Sequence, residues 1–364
     1  MGKKILILSN HFITIYAFRK EIIQNMIDSG NEVYISTPAD EQNNFFVNMG
    51  CKIIETKVER RGTNPLKDIK LIKEYKKIMK KINPDIIFSY TIKPNIYGTI
   101  ASNSLNFKQV CNITGTGATF LNENILNKIV KILYKISVRK CYKVFFQNSG
   151  DMEYFKKYKM VGKNSELIPG SGVNINQHSF SEMPIDKIVN FIFIGRIMTV
   201  KGIEQYLDCA KVIHKKYPNT CFYIAGWNEE EKYKKIVADY EKAGIVKFIG
   251  FQKNIDFWIR KCHCTILPSL GGEGVPNVLL ESAAIGRVCI ASAINGSRDV
   301  IEDNITGYLY RAGNTEELIK KVEKFLALSF EEKKVMGIAG HNKVIREFNR
   351  EIIIEKYMKE VRKL

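Results

Sequence analysis

Gly195-Arg196 closes a short apolar run, and Lys201-Gly202 follows just ahead of a helical stretch that begins at Ile203. An Arg at the carboxyl end of a parallel strand and a Lys at a helix start stand where such sheets bind ligands and where helix dipoles favour anions. The pair suits a diphosphate, although cations at helix starts are common enough that it does not decide the chemistry alone. The segment Pro268-Ser-Leu-Gly-Gly-Glu-Gly-Val-Pro-Asn-Val-Leu-Leu-Glu281 says more, because it runs from a strand end through a Gly-rich turn into a helix. Its glycines at 271, 272 and 274 let the backbone approach a ligand, Pro276 belongs in the first helical turn, and amides at the helix start would face a phosphate. Glu273 in the loop and Glu281 about one turn inside the helix are poor phosphate ligands but good acceptors for polyol hydroxyls. The plainer alternatives are a helix-dipole partner for Glu273 and a solvent-facing helix residue for Glu281.

Positioning these groups requires sheets covered by helices. Short runs rich in Ile, Val and Phe alternate with amphipathic stretches nearly throughout the 364 residues, the pattern of parallel sheets with helices on both faces. In the first half, 4–8, 32–36, 52–55, 85–89, 108–113 and 143–147 read as strands; in the second, 190–195, 221–225, 246–249, 264–268, 288–292 and 307–310 do. Periodicity lapses between Pro169 and Pro184, where Gly, Ser and Pro concentrate. The spacing predicts an α/β protein of two doubly wound, Rossmann-like domains, 1–180 and 181–347.

Composition bounds the rest. The chain carries 56 Lys+Arg against 38 Asp+Glu, a net charge of +18, and 45% hydrophobic residues. That apolar fraction excludes a disordered chain, and no stretch reaches the roughly 18 apolar residues of a membrane span. The run Ile5–Leu8 is too short for a signal peptide, so a cytoplasmic chain is expected. Eight cysteines without framework spacing read as reduced core residues, and Cys262-His263-Cys264 does not read as a zinc site. Residues 1–180 hold 27 Lys+Arg and 14 Asp+Glu, a net of +13. Much of this lies on a helix over 66–82 with apolar residues on one face and lysines on the other, and on a second cluster, Lys128 to Lys143. Composition leaves three readings open: a solvated face, a nucleic-acid surface, or a surface for anionic lipid.

With those motifs set out, the sequence resembles the retaining GT-B glycosyltransferases of family 4, over essentially its whole length. The carriers are Gly195-Arg196 with Lys201-Gly202, the Glu-x7-Glu element from Glu273 to Glu281, Gly172-Val173-Asn174, and Asn304-Ile-Thr-Gly-Tyr-Leu309. Asn174 departs from the usual Asp at a position more structural than catalytic. The resemblance implies two domains facing a central cleft, with the helical stretch 348–364 packing back on the first. It implies that Arg196 and Lys201 hold the donor diphosphate, Glu281 the ribose hydroxyls, and Glu273 the transferred sugar, with Gly274, Val275, Pro276 and Asn277 completing the donor site. Arg196, Lys201 and Glu273 are thus the expected catalytic set.

The first half is similar to enzymes that extend polyprenyl-diphosphate-linked sugars in bacterial surface glycans, N-acetylgalactosaminyltransferases among them. Matching pieces are Thr14-Ile-Tyr16, Phe18-Arg19, Arg60-Arg61-Gly62-Thr63-Asn64-Pro65, Thr91-Ile-Lys93-Pro94-Asn95-Ile-Tyr97-Gly98 and Asn112-Ile-Thr-Gly-Thr-Gly117. Physically, Arg60, Arg61 and Lys93 on strand-end loops could meet the acceptor diphosphate, His11 could orient a phosphate or hydroxyl, and Thr114 and Gly115 would border the cleft. The plainer reading of each charge is a solvated loop residue. Gly115-Thr-Gly117 lacks the third glycine of a dinucleotide fingerprint, which argues against an oxidoreductase.

The expected activity is therefore retaining, metal-independent transfer of a hexose or N-acetylhexosamine from a nucleotide sugar, UDP-linked by resemblance, to a polyprenyl-diphosphate-linked saccharide. No Asp-x-Asp metal motif and no side-chain nucleophile stand out. The expected location is the cytoplasm, at the inner face of the membrane. Three alternatives are a soluble acceptor, a non-catalytic sugar-nucleotide sensor, and a nucleic-acid-binding protein; the last lacks a recognition motif and interleaved aromatics.

Overall fold

The computed structural model describes residues 2–58, 62, 64–116 and 125–364. These form two units, Met1–Ser171 with Glu351–Leu364, and Gly172–Arg350. The division precedes the expected boundary at 180 because the intervening segment is bound to the second unit. Val173 packs beside Leu279 and Val344, and the buried Arg287 guanidinium donates to the carbonyls of Ser181 at 2.8 Å and Glu182 at 2.9 Å.

The described strands of unit 1 are β1 (Lys4–Leu8), β2 (Glu32–Thr37), β3 (Lys52–Glu55), β4 (Ile86–Tyr90), β5 (Gln109–Ile113), β6 (Lys143–Phe146) and β7 (Ser165–Leu167), all parallel in the order β3-β2-β1-β4-β5-β6-β7. β7, three residues long and half exposed, has no apolar run to mark it in the sequence. Its helices are α1 (Phe12–Asp28), α2 (Asn44–Asn48), α3 (Pro65–Ile82), α4 (Thr99–Asn103), α5 (Ile125–Ser137) and α6 (Ser149–Lys157). α3 shows how sequence sets a helix. The Asn64 side chain accepts from the Leu66 amide at 3.0 Å, Pro65 takes the first position, and Asn83, left-handed at φ 52°, ends it. Leu71, Tyr75, Ile78, Met79 and Ile82 then bury one stripe, against the sheet face also covered by Val130 and Tyr134 of α5.

Unit 2 contains β8 (Val189–Ile194), β9 (Thr220–Ala225), β10 (Lys247–Gly250), β11 (Cys264–Leu267), β12 (Val288–Ser292) and β13 (Gly307–Tyr310), parallel in the order β10-β9-β8-β11-β12-β13. α7 (Ile203–Lys216), α8 (Lys232–Lys242), α9 (Ile255–Lys261), α10 (Asn277–Ala284), α11 (Asn295–Val300), α12 (Thr315–Ala327) and α13 (Phe330–Phe348) complete it. The predicted helix over 348–364 is broken. Asn349 is extended and bridges Val173, with Val173 N–H to Phe348 O at 2.8 Å and Arg350 N–H to Val173 O at 2.9 Å. The chain restarts as α14 (Arg350–Arg362), whose Ile353, Ile354, Tyr357, Met358 and Val361 are buried in unit 1 beside Phe88 and Phe145. All eight cysteines are free, and all but the half-buried Cys221 are buried. Among the described residues no helix is long and apolar enough to cross a membrane.

Candidate functional site

In both sheets strand order reverses at one point, between β1 and β4 in unit 1 and between β8 and β11 in unit 2. Doubly wound sheets bind ligands outside the carboxyl ends of the strands at that point. In unit 2 the loop after β8 carries Arg196 and Lys201, and the loop after β11 carries Glu273, so these three flank the reversal.

A backbone bond staples the two loops. Leu270 N–H donates to Val200 O at 2.8 Å. Gly202 starts α7 at φ 72°, and a Cβ there would lie 1.9 Å from Pro268 O, so only glycine permits this approach. The staple delivers Lys201 Nζ to Glu273 Oε1 in an ion pair, and Ser269 Oγ donates to the same oxygen at 2.8 Å. Burial works to raise the Glu273 carboxyl, but Lys201, Ser269 and Arg196 outweigh it and hold the group below its ordinary value. Arg196 in turn lies 3.5 Å from Glu229, whose carboxylate also accepts from the Trp227 indole at 3.2 Å. Ser269 and Glu229 were not singled out in the sequence. Glu229 opens the acidic run Glu229-Glu230-Glu231 just past a strand end, a signal that was available.

The start of α10 differs in detail from expectation. Pro276 is its N-cap, not a first-turn residue, because its extended backbone (φ −68°, ψ 114°) leaves its carbonyl to accept from Leu279 N–H at 3.1 Å. The Val275 side chain is buried with Leu279 and Leu280, so only its backbone can meet a ligand. Gly274 is buried, its carbonyl so close to Gly296 that a Cβ there would lie 1.5 Å away, and Asn277 is half-buried as the first helical residue.

Glu281 has different electrostatic neighbours. Burial raises its carboxyl, with Asp256 adding to the effect and His178 and Arg350 opposing it. It takes no hydrogen bond or ion pair from another described residue. His178 instead pairs with Asp256, Nδ1 to Oδ1 at 2.8 Å. A half-buried carboxylate without donors is a ready acceptor for ligand hydroxyls.

In unit 1, β1, β4 and β5 are neighbours, and the loops past their carboxyl ends carry His11, Lys93, Thr114 and Gly115. His11 caps α1, Nδ1 accepting from Ile13 N–H at 3.2 Å. Lys93 is engaged, its ammonium 2.7 Å from Asp68, which also accepts from Tyr97 Oη at 2.7 Å. The expected loop charge is thus half of a partly buried ion pair, because Asp68 in the first turn of α3 faces it. Thr114 and half-buried Gly115, at φ 110°, follow β5. Arg60 and Arg61 lie outside the described residues. Among the described residues, no cluster of three or more His, Cys, Asp or Glu is placed to hold a metal ion.

The family model described as glycosyl transferases group 1 matches residues 176–343, and the glycosyl transferase 4-like model matches residues 4–148. An N,N'-diacetylbacillosaminyl-diphospho-undecaprenol alpha-1,3-N-acetylgalactosaminyltransferase of Campylobacter jejuni is 23% identical, covering 97% of this chain and 96% of its own. A UDP-Gal:alpha-D-GlcNAc-diphosphoundecaprenol alpha-1,3-galactosyltransferase of Escherichia coli is 26% identical over 79% of this chain and 78% of its own. Among solved structures, the Anabaena HepE protein in complex with UDP and glucose superposes with a TM-score of 0.82 at 16% identity, covering 100% of both chains.

Proposed function

We propose that this chain, which belongs to the glycosyltransferases of GT-B fold, moves a hexose or N-acetylhexosamine from a UDP-sugar to a polyprenyl-diphosphate-linked saccharide with retention at the anomeric carbon. The observation that carries the donor half is the Arg196, Lys201, Ser269 and Glu273 cluster at the strand-order reversal of unit 2. Each cation has a carboxylate partner, Arg196 with Glu229 and Lys201 with Glu273. A donor diphosphate carries more charge than either carboxylate and would draw both cations to itself. Glu273, still held by Ser269, then has oxygen lone pairs for the sugar hydroxyls. Glu281 takes the ribose hydroxyls, replacing water that it loses on burial.

As the bond from the anomeric carbon to the diphosphate oxygen breaks, its electron pair passes to that phosphate. The acceptor hydroxyl adds to the same face and its proton leaves on the phosphate oxygen. Fixed cations stabilise the charge that builds there, so no metal is needed. The acceptor half rests on the two relatives named for saccharide acceptors on undecaprenyl diphosphate and on the basic first half. An enzyme using such an acceptor works at the inner membrane face as a peripheral protein, and the exposed Lys73, Lys77 and Lys80 of α3 suit anionic lipid.

A thermal-shift panel of nucleotides and sugar nucleotides tests the donor assignment, since a ligand at 100 times its Kd stabilises by about 2.7 kcal/mol. UDP and UDP-sugars should stabilise the wild-type chain. Stabilisation by purine nucleotides alone, or by none, contradicts it.

A further inference from the structure

We propose that α5 lies flat in the surface of an anionic membrane, with its isoleucine stripe among the acyl chains. The proposal deepens the reading of a lipid-linked acceptor and rests on it. Ile125, Ile129, Ile132 and Ile136 are 77%, 47%, 59% and 60% exposed. At 3.6 residues per turn the four fall within about 60° of one another, a continuous apolar strip rather than scattered surface residues. Val130, Tyr134 and Ser137 face the opposite way and are buried, which fixes the helix so that the strip points outward.

Charge identifies what covers the strip. α5 contains Lys128, Lys131 and Lys135 and no acidic residue. Lys131 is turned to the rings of Tyr154 and Tyr158, the nearer centroid 4.4 Å away. Lys128 and Lys135 stay exposed along one border of the strip, followed by exposed Arg139 and Lys140. An apolar strip bordered on one side by cations matches acyl chains below anionic head groups, where such helices sit about 5–10 Å deep. A protein partner of mixed surface would call for acids as well. Leu66 and Ile69, near the start of α3 after another strand of the same parallel sheet, are exposed as well.

The test uses the full chain with vesicles of phosphatidylglycerol and phosphatidylethanolamine, some carrying brominated acyl chains. Both native tryptophans, Trp227 and Trp258, belong to unit 2, so I132W gives unit 1 its own fluorescent reporter. Its emission should shift to the blue and be quenched by the bromines. I129S/I132S should weaken vesicle binding about tenfold or more, because affinity scales with the apolar area inserted. The double variant should keep its stabilisation by UDP, which shows that it folds.

If wild type binds vesicles while I132W emission stays unquenched, or while I129S/I132S binds equally well and still extends a lipid-linked acceptor, the docking role of α5 is wrong and the acceptor reading stands. If α5 docks but only soluble acceptors are extended, the acceptor reading fails and the docking stands. A dimer that I129S/I132S dissociates, with vesicle binding unmoved, assigns the strip to a second copy and overturns the proposal.

Discussion

At the scale of single residues, the proposed donor site separates two kinds of acid. Glu273 is held ionised by Lys201, Ser269 and Arg196, whereas Glu281 is half-buried and takes no donor from another described residue. Glu273→Gln should leave UDP affinity nearly unchanged and reduce transfer, and Glu281→Gln should weaken UDP binding whatever sugar is attached; calorimetry with UDP separates them. The two should also differ in pH dependence. A raised carboxyl pKa means that ionised Glu281 costs folding stability, so ligand-free Glu281→Gln should be the more stable chain at pH 7. That gain should shrink as pH falls through the raised value and vanish below about 4.3, the unfolded value. Glu273, with a lowered pKa, stabilises above the unfolded value and loses its contribution only as pH falls through the folded one. Arg196→Ala should lower turnover by about 10²–10³, the scale of one preorganised electrostatic group, with chelators having little effect. Turnover kept in Arg196→Ala, or abolished by EDTA and restored by magnesium, would contradict the assigned role.

At the scale of elements, the approach of the 195–202 and 268–277 loops makes the site, and Gly202 is where that approach is tightest. Gly202→Ala places a side chain at φ 72° and against Pro268 O, and left-handed strain alone costs about 1–3 kcal/mol. It should lower the melting temperature and weaken UDP binding together; a variant with native UDP affinity would show that the staple is dispensable. The elements themselves were largely legible in the sequence, since buried parallel strands are continuous apolar runs and a helix such as α3 announces its cap, its first proline and its stripe. β7 was not, being short and half exposed, and neither was the break at Asn349, which depends on a bridge to Val173 far away in sequence. Within the candidate site, Arg196, Lys201 and Glu273 could be singled out because they stand on loops after strands, and the structure brings them together. Glu229 carried a signal in its acidic run, but the partners Ser269 and Asp68 did not, because which side chain meets which is set by loop packing and not by spacing.

At the scale of the whole molecule, unit 2 is one continuous segment whereas unit 1 is completed by α14. Tyr357 donates to Asn112, Glu360 pairs with Lys143 at 2.7 Å, and five apolar side chains of α14 are buried, each worth on the order of 1.5–3 kcal/mol. Against a net domain stability of about 5–15 kcal/mol, deleting residues 351–364 should leave unit 1 open to protease while unit 2 still binds UDP. The central claim joins both units in one reaction, and the most direct test is transfer from a UDP-sugar to an undecaprenyl-diphosphate-linked saccharide, with the product's anomeric configuration read by proton coupling. The expected result is one added sugar with the donor's configuration, lost in Arg196→Ala. No transfer from any UDP-sugar in a panel of such acceptors, or a product of inverted configuration, would contradict it.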